Sequence, residues 1–231
     1  MKTQSGPTET EPKSLLARIT FIARNYFGQM NFRRDAGPID TLAEVERYAA
    51  TRSAFVTQKK LYGYLKTRMG TQYSKVFADD VFVRSISIAN HRIYPAALSD
   101  LTIFCVAQAL DGHPSAKAED REGIALECFR NGLAANREGR PEPVDEEGLA
   151  AEFAARLAET DWHGRALKAE NFTLSPRALV RWAPIAPELK KYDAEIVANS
   201  MKYAWLDIRA RYLKRLRREA VWADIAANSE N

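Results

Sequence analysis

The residues that could act in hydrolysis are a few serines and histidines. The chain has three histidines, and a serine nucleophile needs a base of this kind within hydrogen-bond reach. The candidates for such a pair are Ser53, Ser74 or Ser99 with His91. The glycine-flanked serine turn of esterases, a Ser-x-x-Lys motif and a glycine-rich phosphate loop are absent from the sequence. The sequence therefore predicts no catalytic residue, and a small hydrolase of unusual architecture remains an alternative function.

One short segment combines side chains that bind metals elsewhere. His163 follows Glu159 and Asp161 in the sequence Glu-Thr-Asp-Trp-His, so two carboxylates and one imidazole are close along the chain. A metal site takes three or four ligands, often with a second ligand pair elsewhere. We interpret the segment as the solvated, charged end of a helix, and we predict no metal and no cofactor.

The segment 59–73 alternates aromatic and basic side chains. Cations beside stackable rings can bind nucleic acid or a phosphorylated ligand. On a helix, however, Tyr62, Leu65 and Met69 share one side, and Lys66 and Arg68 fall elsewhere. This arrangement favours an amphipathic helix with a solvated face over a binding site.

The C-terminal segment carries the strongest functional signal. Apolar residues recur there every three or four positions, at Met201, Trp205, Ile208, Tyr212 and Leu216. Basic residues occupy much of the remaining surface. A helix of this kind can dock on an acidic partner, on RNA or on an anionic membrane, and it can equally be a plain outer helix of a bundle. The side chains that we predict to bind a partner are Lys202, Arg211, Lys214, Arg215 and Arg218.

Composition and charge indicate a globular protein without an extended basic track. Hydrophobic residues make up 46% of the chain and charged residues 28%, which is typical of globular domains. The formal charge is +4. It divides into +5 for residues 1–115 (15 basic, 10 acidic), −5 for residues 116–170 (8 and 13) and +4 for residues 171–231 (11 and 7). This uneven distribution suggests distinct faces rather than one nucleic-acid-binding sheath.

The cysteines and the apolar runs indicate a cytoplasmic protein. Cys105 and Cys128 lie in apolar helical settings and form no disulfide framework, which fits a reducing compartment. The apolar run 98–110 contains Asp100 and Gln108 and is shorter than the roughly 20 residues that a membrane span needs. Glu9 and Glu11 before the first apolar stretch argue against a signal peptide.

Hydrophobic periodicity predicts helices throughout the first half of the chain. Residues 1–12 are expected to be a disordered tail, and Ser14 to begin a short helix. Thr41 and Glu44 form a capping-box pattern for a long central helix that ends at Met69. We predict a helix over 81–93 and a second one that begins at Pro95 and forms the centre of the core.

The second half of the chain is expected to be helical as well. We predict helices over 117–133, from Asp145 to Glu159, and a short one at Ser175-Pro176. The stretch 187–227 contains no glycine and no proline after Pro187, which predicts one long basic C-terminal helix. Together these patterns predict an all-α, irregular helical bundle with a single domain over 13–227 and a disordered end at 228–231.

Two stretches resemble a known group of proteins. They are 55–73, with Phe77 and Asp79-Asp80-Val81-Phe82 following, and 181–200. They are similar to a family of small helical proteins of alphaproteobacteria, some of which carry the label "esterase". The resemblance covers most of residues 41–225 and implies one domain in a bacterial cytoplasm. It supplies no catalytic residues.

The absence of site chemistry, together with the basic C-terminal helix, leads us to expect a non-enzymatic adaptor or regulatory protein with a protein partner. Nucleic-acid binding is a further alternative.

Overall fold

The structure, a computed structural model, describes residues 37–137, 140–162 and 172–229. Its longer helices are α1 Leu42–Met69, α2 Asp80–Ala109, α3 Ala118–Ala135, α4 Glu146–Ala158, α5 Leu174–Trp182, α6 Ala194–Arg215 and α7 Arg218–Ser229. One-turn helices occur at Gly70–Gln72, Tyr73–Val76 and Pro187–Lys190. The predicted all-α bundle is confirmed for these residues. The predicted tail 1–12 and the helix from Ser14 lie outside them, as do Glu230 and Asn231.

Local sequence signals fix the ends of the central helix α1. The Thr41 hydroxyl accepts a hydrogen bond from the backbone N–H of Glu44 at 3.2 Å, which is one half of the predicted capping box, while the Glu44 carboxylate accepts from Arg47. Gly70 follows Met69 with a φ of 52°, a conformation that glycine adopts without a side-chain clash. The prediction of one uninterrupted helix up to Met69 is therefore confirmed.

Helix α2 forms the centre of the core and corrects one prediction. The segments 81–93 and 95–110, predicted as two helices, form the single helix Asp80–Ala109 with Pro95 in its interior. Proline removes one backbone hydrogen bond and disfavours a helix interior. Here both sides of the proline pack into one core, since Ile93, Tyr94, Ala97 and every residue from there to Leu110 are buried. Tertiary packing thus overrides the local signal.

The C-terminal region is interrupted where we predicted one continuous helix over 187–227. A first break precedes α6 at Asp193, whose buried carboxylate accepts hydrogen bonds from Tyr64 and Arg68 of α1. A second break lies at Leu216, which has an extended backbone. There the Ile39 backbone N–H donates to the Arg215 carbonyl at 3.0 Å, and the Arg217 N–H donates to the Ile39 carbonyl at 2.9 Å. Backbone pairing with a distant segment ends the helix without glycine or proline.

A buried polar network links α2, α4, α5 and α6. Asp100 accepts from Arg156 Nη2 at 2.8 Å, from the Ser175 N–H at 2.9 Å and from Ser175 Oγ at 2.7 Å. Ser175 Oγ in turn accepts from Trp205 Nε1 at 3.1 Å. Burial raises the pKa of the Asp100 carboxyl, and the Arg156 guanidinium and the hydrogen bonds from Ser175 oppose that shift. The carboxylate caps the first turn of α5, which fixes the start of that helix against the core.

Helices α3 and α4 form a layer beside α2. Phe129 and Phe153 stack with ring centroids 4.3 Å apart, and the Tyr94 hydroxyl donates to the Gly132 carbonyl at 2.9 Å. The predicted cap Asp145 accepts from the Gly148 N–H at 2.9 Å and is confirmed. Within the described residues, no helix is both long and apolar enough to cross a membrane.

Candidate partner-binding surface on helix α6

The inward side of α6 is the apolar stripe that the sequence predicts. Met201, Trp205, Ile208 and Tyr212 are buried, and Leu216 is buried just beyond the helix end. Two of these residues also make hydrogen bonds in the core. The Tyr212 hydroxyl donates to the Cys105 carbonyl at 2.8 Å, and Trp205 belongs to the Asp100 network. This side of α6 is therefore structural.

Three of the five candidate partner-binding cations lie on the outward side. Lys202, Arg211 and Lys214 are exposed. Arg211 forms an ion pair with Asp207, one turn earlier, at 3.0 Å, and both side chains are exposed. Such a surface pair contributes little to stability. These three cations are placed where a partner can reach them.

The other two candidates, Arg215 and Arg218, make contacts within the fold. Arg215 Nε donates to the Gly37 carbonyl at 2.8 Å, its guanidinium lies over the Tyr48 ring, and burial lowers its pKa. Arg218 Nε donates to the Gln108 carbonyl at 2.7 Å, and Nη2 donates to Gln108 Oε1 at 3.2 Å. Both cations hydrogen-bond to backbone carbonyls of other segments, so their substitution is expected to affect the fold.

The structure also shows an exposed apolar row that our sequence analysis missed. The exposed fraction is 80% for Tyr192, 73% for Tyr203 and 70% for Ile196, and it is 44% for both Leu206 and Leu213. Isolated apolar residues on a surface are ordinary, whereas a contiguous row marks an interaction site. The signal was present in the sequence as a second periodicity of three and four residues, masked by the stronger inward stripe.

The serine and histidine candidates lie in different environments. Ser53 Oγ donates to the Ala97 carbonyl at 3.1 Å, and Ser99 Oγ accepts from Arg156 Nη1 at 2.6 Å. His91 Nδ1 lies 2.8 Å from the Ser87 carbonyl, and burial lowers the pKa of its imidazole. Ser99 lies eight positions after His91 in the same helix, which is about 12 Å along the axis. The side chain of Ser74 is not among those described.

The aromatic and basic residues of 59–73 divide between the surface and the fold. Tyr62 packs on Phe77 with ring centroids 5.7 Å apart, and Lys60 donates to Ser200 Oγ at 3.0 Å. Arg68 binds Asp193, while Lys59 and Lys66 are exposed. These contacts attach α1 to α6 and to the segment after α1, and Tyr64 and Arg68 meet at the buried carboxylate of Asp193.

The possible metal ligands and the two cysteines do not form a site among the described residues. Among the described residues, no three of His, Cys, Asp and Glu are grouped to hold a metal ion, and His163 lies outside those residues. Cys105 and Cys128 are buried and not disulfide-bonded, and burial raises the pKa of both thiols. Both act as small core side chains, as predicted.

Comparisons with known proteins do not add a family. No protein-family model, no curated protein and no solved structure matches the chain.

Proposed function

We propose that the protein is a non-enzymatic adaptor or regulatory protein of the cytoplasm, which binds a protein partner through the outward side of α6. The observation that carries this proposal is an exposed apolar row on one helix with Lys202 on one flank and Arg211 and Lys214 on the other. Protein interfaces combine an apolar centre with a polar rim in this way.

The charge of this surface defines the partner. Basic side chains that flank an apolar row attract acidic segments and speed up their association. A protein segment with acidic and apolar residues complements both the cations and the aliphatic side chains Ile196, Leu206 and Leu213, whereas nucleic acid complements the cations and the tyrosine ring but not the aliphatic side chains. We therefore place a protein partner before nucleic acid.

Charge reversal on the outward side of α6 tests the proposal. The variant Arg211→Glu/Lys214→Glu changes only exposed side chains, and we expect it to reduce recovery of a cross-linked protein partner from the host about tenfold. Arg215 and Arg218 are left intact because they contact the fold. Mass spectrometry after mild cross-linking measures the recovery.

A matched control distinguishes the loss of this surface from a general effect of lower net charge. The variant Lys75→Glu/Arg84→Glu reverses two exposed cations elsewhere and should recover the partner as the native chain does. Equal recovery by the native chain and the Arg211→Glu/Lys214→Glu variant would refute the proposal. Recovery of RNA instead, with binding that falls steeply as salt is added, would establish the nucleic-acid alternative.

A further inference from the structure

We propose that the exposed row of α6 binds the same row of a second copy of this chain, as a parallel two-stranded coiled coil. Within the helix, the row falls at alternating intervals of three and four residues, at Ile196, Asn199, Tyr203, Leu206, Ala210 and Leu213. This spacing is the seven-residue repeat of a coiled-coil seam, in which the apolar positions of two helices interdigitate. Tyr192 is also exposed, but it precedes the helix, which begins at Ala194.

The seam is accessible and separate from the core-facing side. All six positions are exposed, and the helix is 22 residues long, or about 33 Å. The buried residues Val197, Met201, Trp205, Ile208 and Tyr212 occupy other positions of the repeat. Pairing through the seam therefore leaves the packing of α6 on its own domain unchanged. Asn199 is the one polar residue among the six seam positions.

The charges beside the seam select the parallel orientation. In a parallel pair, Lys202 faces Asp207 of the second copy, and symmetry forms this ion pair twice. Arg209 would face Lys214 of the second copy, but its guanidinium is directed inward over the Phe104 ring, 4.8 Å from the centroid. An antiparallel pair instead sets the flank of the seam that carries Lys202 and Arg209 against the same flank of the second copy, so Lys202 does not meet Asp207. Complementarity of opposite charges thus favours the parallel pair.

The area of the seam indicates a dimer that dissociates on dilution. One tyrosine, two leucines and an isoleucine with these exposures offer on the order of 400 Å² per copy, against about 800 Å² per partner in a typical stable interface. We expect a dissociation constant in the micromolar range. The inference goes beyond the proposed function, because it assigns the apolar row to a second copy of this chain; Arg211 and Lys214 do not belong to the seam positions and remain available to a different partner.

Sedimentation equilibrium of the full chain tests self-association. We expect monomer at about 1 µM and mostly dimer at about 200 µM. Leu206→Glu places two carboxylates inside the seam and should give monomer at both concentrations, with an unchanged far-UV circular dichroism spectrum. Val81→Glu is the matched control, since Val81 is 75% exposed and far from α6 in sequence; this variant should dimerise as the native chain does. A native chain that stays monomeric at 200 µM, or a Leu206→Glu variant that still dimerises, would overturn the proposal.

Cross-linking tests the orientation. In a parallel pair, position 199 of one copy contacts position 199 of the other, so Asn199→Cys should form an intermolecular disulfide on mild oxidation. The native Cys105 and Cys128 are buried and should leave the native chain uncross-linked. A dimer that fails to form the disulfide would overturn the parallel arrangement. The Arg211→Glu/Lys214→Glu variant should still dimerise, which separates failure of the seam from failure of partner capture.

Discussion

The carboxylate of Asp100 joins several helices at one buried point. It accepts from Arg156 of α4 and from the first turn of α5 through Ser175. A buried ion pair of this kind contributes little net stability, but removal of one partner leaves the other charge uncompensated and costs about 3–5 kcal/mol. The network is therefore better understood as a device that positions α5 than as a source of stability.

At the surface, Glu146 predicts a pH dependence of stability. Hydrogen bonds from Arg137, and also from Arg140, lower the pKa of Glu146 from 4.5 to about 2. Because the pKa is lower in the folded state, the carboxylate stabilises the fold above about pH 4.5 and loses this contribution as the pH falls towards 2. We expect the native chain to lose more stability than Glu146→Gln between pH 5 and pH 3. Urea unfolding across this range measures the difference.

A second glutamate on α4 controls for the loss of charge. Glu152 is exposed, and Glu152→Gln removes one carboxylate without affecting Arg137 or Arg140. If Glu146→Gln and Glu152→Gln change the pH dependence of the free energy of unfolding equally, the prediction that the Arg137 and Arg140 contacts stabilise the fold is wrong.

Residue type alone could not separate the binding cations from the structural ones. The sequence predicts that the end of α6 is basic, and Lys202, Arg211 and Lys214 are exposed. The acceptors of Arg215 and Arg218 are carbonyls of Gly37 and Gln108, more than a hundred residues away. A cation's partner depends on tertiary contacts of this range, which local spacing does not encode.

At the scale of elements, the close approach of α2 and α3 predicts opposite effects for two glycines of one helix. A Cβ on Gly132 would lie 2.7 Å from Leu98 Cδ2, and Leu98 is fully buried. A Cβ on Gly123 meets nothing within 4 Å. We expect Gly132→Ala to lower the free energy of unfolding by about 1–3 kcal/mol and Gly123→Ala to raise it by about 0.5–1 kcal/mol. Urea denaturation measures both, and stabilisation by Gly132→Ala would contradict the close packing.

Helix boundaries were predictable where a local signal sets them. Thr41, Asp79 and Asp145 accept hydrogen bonds from the first turns of α1, α2 and α4, and short polar side chains before apolar runs indicate such caps. The predicted helix start at Pro95 and the predicted continuous helix through Leu216 were both wrong. Helix α2 continues through Pro95 because residues on both sides pack into the core, and the C-terminal helix breaks at Leu216 because the backbone there pairs with Ile39. These contacts are distant in sequence.

At the scale of the whole molecule, the core predicts one cooperative unit. The buried apolar cluster contains residues from Ile39 to Val221, and α2 contacts α1, α3, α5 and α7. We expect far-UV circular dichroism, which reports helix, and near-UV circular dichroism, which reports aromatic packing, to give the same urea midpoint. Two separated midpoints would show that the predicted single domain 13–227 is wrong.

Helix α6 is apolar on two opposite sides, and this raises the question of what fixes its rotation about its own axis. A turn of about 180° would present the outer row to the core in place of the inner one, and the gain from burying apolar area would be similar. Directional bonds distinguish the two settings. In the observed rotation, Trp205 Nε1 donates to Ser175 Oγ and the Tyr212 hydroxyl donates to the Cys105 carbonyl. The opposite rotation would direct both donors into solvent. Hydrophobic burial thus holds α6 against the core, and these two hydrogen bonds determine which of its two apolar sides remains exposed.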